Sequence, residues 1–439
     1  MPQPVKEKDN YLSAFNALAA KNANIPAWLV TLREKAADSF ERLEFPTTRV
    51  EAWKYTNIAP LLKLQYRDAL EADKQLVAAD NLVLTFEESR RSRLVFINGL
   101  FSRGLSDISA LPEGIIVGNL ADVQSEAIRE HLGTQADYRG QVFTALNTAS
   151  VNDGAFVYLP AGKVVEPPIH LRFVSTAAGG PVISHPRALI VAGRGAMATI
   201  IESYVAATKA DYFTNSVTEI IVQQGAAIEH YRLQDESEQA FHIGTTQVSQ
   251  ERDSNYASYA LALGAAISRH DLNVTLTGEH TETTLNGLYV VTGNQLADTH
   301  LTLDHAKPHG TSQQLYKGIL DDKARAIFNG KVMVREGALL TDARQLNKNL
   351  LLSNEAHVDT KPELEIFADD VKCAHGATVG QLEDDEVFYL LSRGLKPETA
   401  RALLTYGFAE DIISRIKVAS VRKALDEIVL VKLHQELEI

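Results

Sequence analysis

The chain has 439 residues, a net charge of −13, 45% apolar residues and a single cysteine. Its length gives material for two or three domains, and its composition excludes an intrinsically disordered chain. The acidic balance argues against nonspecific nucleic-acid or anionic-membrane binding, and one cysteine excludes an internal disulfide, which suits a reducing cytosol.

In chain order, the N-terminal MPQPVKEKDN lacks the apolar core of a secretory signal. The most apolar run, residues 259–267, is too short to span a bilayer. The expectation is a cytoplasmic protein with no membrane segment. Residues 9–45 read as helix. Tyr11, Leu12, Phe15, Leu18 and Ala19 fall at helical spacing behind Asp9 and Asn10 as caps. A second helix starts at Pro26, carries Trp28, Leu29, Leu32, Ala36, Phe40 and Leu43 on one face, and ends before Pro46. Residues 47–57 hold Trp53 and Tyr55 among charges. They read either as a recognition loop or as an aromatic anchor, and the size of the two rings favours the anchor.

From about residue 93 short runs rich in Val, Ile, Thr and Tyr signal strands, as at 94–99, 156–160 and 188–193. No helical pattern of ordinary length separates such runs between about 150 and 380, which argues against an alternating β-α-β sheet. Small residues precede apolar runs at Gly195-Ala196, Gly225-Ala226 and Ser254-Asn255, 30 and 29 residues apart, and again at Gly337-Ala338 and Glu355-Ala356. A recurring unit of this kind fits a β-solenoid. The alternative is a sandwich or jelly roll, and the scarcity of Asn-Gly and Asp-Gly hairpin turns favours the solenoid.

After Gly380 the pattern returns to helix. Acidic residues 383–386 open one helix and Gly394 caps it; Pro397 opens another, closed at Gly407; a last runs from Val418 through Val421, Leu425, Ile428, Val429 and Leu433. These helices are expected to lid the open end of the solenoid and to offer a docking surface. The chain divides into a helical region at 1–92, a β core at 93–381 and a helical region at 382–439.

Few motifs carry chemistry. Residues 193–198 resemble a dinucleotide fingerprint but lie between two strands, and no phosphate-binding G-x-x-x-x-G-K-[ST] loop occurs, so ATP hydrolysis by that route is excluded. His300, Asp304, His305 and His309 form the one multi-histidine cluster. In a strand His300 and His305 face opposite sides, which favours hydrogen-bonded structural histidines over a metal site. Asp321-Asp322 and Asp369-Asp370 are adjacent pairs whose members diverge, so a carbohydrate-cleaving enzyme is the weaker reading. Cys373 and His375, by contrast, share a face if their segment is extended. A thiolate and an imidazole make half a metal site, since stable sites take about four ligands. Either the pair is a matter of packing or another chain completes it.

Several segments resemble the SufB/SufD family: EAWKYT at 51–56, RHDL at 269–272, HAKPHGTS at 305–312 and, most specifically, EIFADDVKCAHGATVG at 365–380. The chain is shorter than a usual SufB and lacks its additional cysteines, so the resemblance is to the SufD branch. It implies a right-handed parallel β-helix core with helical N- and C-terminal regions. It further implies a non-catalytic scaffold for iron–sulfur cluster assembly, paired with SufB through the core and with the ATPase SufC through the C-terminal helices. Phe388, Tyr389, Leu390, Arg393, Leu403 and Leu404 are the expected partner-binding residues. Cys373 and His375 are the expected ligands to transient iron or a nascent cluster at the SufB junction, with no cofactor held stably by this chain alone. A homodimer in isolation, a flavin in the whole complex and a purely structural role beside SufB stay open.

Overall fold

The computed structural model describes residues 8, 11, 26–69, 71–77, 85–177 and 179–432. The first predicted helix, apart from Tyr11, lies outside the described residues, as does Leu433. From Arg187 to Gly380 the chain alternates between two parallel sheets, each strand pairing with the strand two places on, and the preceding strands Ala155–Leu159 and Val164–Ser175 join the same sheets beside Arg187–Ala192 and Met197–Ala206. The result is a β-solenoid of about eight turns. Period-two alternation divides every strand between lumen and flank. Along Met197–Ala206, for example, Ala198, Ile200 and Tyr204 pack in the central core while Ile201 and Val205 join an outer cluster.

Parallel pairing without slippage stacks inward residues into columns. One runs Ala198, Ile228, Tyr256, Thr283, Ser312, Ala343, Cys373. Its neighbour runs Ile200, His230, Ser258, Leu285, Gln314, Gln345, His375. One corner of each coil needs a left-handed residue. Gly162 (φ +72°), Gly195 and Gly225 (φ +68° each) supply it first, then Asp253, His280, His309, Leu340 and Asp370 at φ between 53° and 61°. From Gly162 to Leu340 their N–H groups bond to the next coil, as from Gly195 to the Gln224 carbonyl (2.9 Å) and from His309 to that of Leu339 (2.9 Å). These left-handed corners underlie the small-residue repeat. Only the first three are glycines, because side chains with φ near 55° are tolerated where the ladder holds them.

Helices cover both flanks. Helix α1 (Ala27–Arg42) and α2 (Val142–Ala149) pack against the first sheet, where Phe40, Phe45 and Phe143 meet Phe213, Phe241 and Ile243. At the other terminus α3 (Asp384–Ser392), α4 (Pro397–Ile413) and α5 (Ala419–Lys432) follow the core. Ile412, Val421, Leu425 and Val429 lie on Tyr231, Leu261, Leu288 and Ile319 of the second sheet. This corrects the lid expected from sequence: among the described residues the C-terminal helices clothe a flank and leave the end coil open. Gly407 does not close a helix either. It is an interior residue of α4, whose buried Ala409, Ile412 and Ile413 keep the helix on the sheet past it. Gly394, at φ +89°, is the expected cap.

Residues 47–57 form the anchor. Arg269 stacks on Trp53 at 3.8 Å and donates to the Ala52 carbonyl (2.7 Å), Asp298 (2.7 Å) and Asp271 (2.8 Å). Thr56 donates to the same Asp298 oxygen (2.6 Å). Burial alone would raise the Asp298 carboxyl; Arg269 and His300 outweigh it and hold it down at about 2. The EAWKYT and RHDL motifs are therefore the two halves of one contact.

Candidate metal centre at the open end of the solenoid

The last two strands, His357–Ile366 and Lys372–Gly380, each pair on one edge only, with Arg325–Val334 and Asp342–Leu351. No further coil follows among the described residues, so inward positions that are buried in earlier coils open outward here. Cys373 sits above Ala343 and His375 above Gln345, both beneath them almost fully buried. Cys373 itself is half-buried and touches the core cluster, whereas His375 is exposed. Ile366 (41%), Phe367 (63%) and Val379 (48%) add exposed apolar surface around the mouth. The two residues share a face, as the alternation requires, and they do so at an edge.

Burial pushes the Cys373 thiol up, and the Asp342 carboxylate adds to this, while a hydrogen bond to the Ala343 backbone opposes it. The sulfur is thus a protonated thiol at neutral pH until a cation or a donor reaches it. Among the described residues no group of three or more His, Cys, Asp or Glu side chains is placed to hold a metal ion. A thiol and an imidazole at an unpaired edge are too few to hold a metal ion by themselves.

The other residues singled out from sequence fall in separate places. His305 is in the lumen, bonded through Nε2 to the Ser312 hydroxyl (3.0 Å), and burial pushes it down to about 4. His300 is on the flank beside Arg269 (3.1 Å). His309 is on an exposed corner, stacked on His280 at 4.5 Å. They do not form one site. Asp321-Asp322 and Asp369-Asp370 sit at different turns. On the C-terminal helices Phe388 (70%), Tyr389 (56%) and Leu403 (43%) are exposed, as is Arg393, with Leu390 and Leu404 half-buried beside them. Helix α3 has no buried residue; Val387, Leu390 and Leu391 are half-buried, while Phe388 and Tyr389 stand exposed.

Sequence reasoning missed a polar network inside the lumen. Glu202 accepts from Thr218 (2.9 Å), from Tyr204 and from His230 Nε2 (3.0 Å); His230 Nδ1 meets the Tyr256 hydroxyl (3.0 Å). His242 Nδ1 lies 2.6 Å from Glu236 and its Nε2 2.6 Å from Arg232. Arginine can only donate, so Nε2 accepts and the ring proton sits on Nδ1. Burial alone would raise both carboxyls, but their imidazole partners hold them below the ordinary range. The signal was available only in part: Glu202, His230 and His242 fall on inward positions of their strands, whereas Glu236 lies just past the end of Ala227–Asp235.

Two comparisons bear on this geometry. The family model described as "SUF system FeS cluster assembly, SufBD core domain" matches residues 173–408, and that described as "SufBD protein N-terminal region" matches residues 5–171. The chain belongs to the SufBD family of iron–sulfur cluster assembly proteins. Among relatives, it is 41% identical over 434 residues to the iron-sulfur cluster assembly SufBD family protein slr0076 of Synechocystis, covering 96% of this chain and 95% of that one. It is 32% identical over 378 residues to the iron-sulfur cluster assembly protein SufD of Escherichia coli, covering 86% of each. It is also 32% identical over 416 residues to the chloroplastic protein ABCI7 of Arabidopsis thaliana, covering 92% of this chain and 86% of that protein. Among the described residues no helix is long and apolar enough to cross a membrane.

Proposed function

We propose that the chain is a non-catalytic, SufD-type subunit that pairs end to end with SufB in the cytosol and contributes Cys373 and His375 to a shared site. There iron, as substrate, is captured and a nascent cluster grows. One observation carries this reading: two inward columns end in a thiol and an imidazole at an uncapped coil. Unpaired edge strands seek a partner, and the exposed Ile366, Phe367 and Val379 supply apolar contact around the ligands. A second copy of the chain can meet the same edge when SufB is absent. The exposed face of α3 and Leu403 of α4 is the surface on which the ATPase SufC docks. Nucleotide-driven movement of SufC would then shift the population of open and closed ligand sets.

The test is coexpression of the full chain with SufB and SufC, followed by iron and acid-labile sulfide analysis of the purified assembly. Cys373→Ala and His375→Ala are expected to leave the complex intact and to lose most of its iron and sulfide. Unchanged yields from both variants would leave this subunit a structural partner only.

A further inference from the structure

Resting on that reading of the site, the column beneath His375 carries a second observation. Gln345 is 3% exposed. Its Nε2 donates to Gln314 Oε1 in the preceding coil (2.8 Å), while its Oε1 is buried with no donor among the described residues. The nitrogen and oxygen of a carboxamide diverge by about 120°, so with Nε2 turned to the coil below, Oε1 faces the coil above. The residue stacked there is His375. Across the lumen Gly330 makes room for this amide: a Cβ at that position would lie 2.3 Å from Gln345 Nε2. Neighbouring strands are about 4.8 Å apart, the spacing at which stacked amides bond along a column.

We propose that Gln345 is the positioning residue of His375. Its side-chain oxygen accepts one ring N–H when the exposed imidazole turns inward, which leaves the other ring nitrogen as a lone pair presented at the mouth. A ligating histidine commonly gives its second N–H to a carbonyl or carboxylate, which sets the tautomer and the ring plane. The Gln314–Gln345 ladder does this from inside the solenoid, out of reach of the partner, so this half of the site is oriented before assembly.

The experiment uses the full-length chain with ring-15N-labelled histidine at about pH 8, where an ordinary imidazole is neutral. The His375 signals are assigned by their loss in His375→Ala. Wild type is expected to show a single tautomer, Gln345→Met a mixture of two, and Gln345→Glu, which keeps the acceptor, a single tautomer again. Should Gln345→Met not fold, Gly330→Ala displaces the same amide and carries the same expectation. In parallel, the cobalt(II)–thiolate absorption of Cys373 is expected to need about 10-fold more cobalt in Gln345→Met. His375 signals identical in wild type and the displaced-amide variant overturn the proposal. A tautomer shift accompanied by undiminished cluster yield in His375→Ala overturns the reading of the site instead and leaves the positioning role standing.

Discussion

The middle of the lumen and its last coil are built on the same columns and have opposite fates. At His230 the imidazole is enclosed, with Glu202 on one nitrogen and Tyr256 on the other. Five coils on in the same column, His375 is exposed. Between Tyr256 and Cys373 the neighbouring column shows the same passage from a buried ring to a half-buried thiol. Position in the repeat is identical; the difference is whether another coil follows. A polar group inside a solenoid must be satisfied by its own chain, whereas the same group at the end is left available to a different one.

That contrast can be broken at several points. The largest effect belongs to Glu202→Leu, which strands Thr218, Tyr204 and the buried His230 without their acceptor. A loss of about 3–5 kcal/mol in urea unfolding is expected. Acid acts next, through His305. The folded protein holds this ring near 4 by burial, so the unfolded chain binds a proton that the folded one does not. Its contribution, on the order of 3 kcal/mol, is complete above about pH 6.5 and declines as the pH falls toward 4. His305→Gln should flatten that slope in urea midpoints measured across the same range. Packing gives a third comparison. A Cβ on Gly287 would come 2.1 Å from the Tyr316 ring, whereas one on Gly380 would meet nothing within 4 Å. Gly287→Ala is expected to cost about 1–3 kcal/mol and Gly380→Ala under about 0.5, read from melting curves. The smallest effect is expected from Cys373→Ala and His375→Ala, within about 0.5 kcal/mol of wild type. A loss above 2 kcal/mol in either would make the open end a structural element after all.

Much of this was legible in the sequence because the governing periods are local. The two-residue alternation put Cys373 and His375 on one face, and Pro26, Gly394 and Pro397 marked helix boundaries through fixed backbone chemistry. The repeat was only partly visible. Gly195 and Gly225 announce the left-handed corner, but His280, His309 and Leu340 occupy it with no compositional sign. Glu355-Ala356 belongs to the opposite corner, where Ala356 follows Ala324 in the same small cluster. The flank position of the C-terminal helices was not legible, because their apolar faces do not say what they cover. Nor was Gln345, whose meaning depends on a column of residues about thirty positions apart.

The helical coverings have a consequence for how the molecule comes apart. A bare stack of coils can peel from either end, since each touches only its neighbours. Here the C-terminal helices share one apolar cluster with coils from Val174 to Ile319, and the N-terminal aromatics share another with those from Ile183 to Ile267. Those coils are stitched into one unit that unzips together or not at all. The final coil lies beyond the stitching, tied to the N-terminal segment by the exposed Lys361–Glu51 ion pair at 3.1 Å. Local opening should therefore begin where Cys373 and His375 are displayed, and amide hydrogen exchange along 357–380 should outpace that of every coil before it.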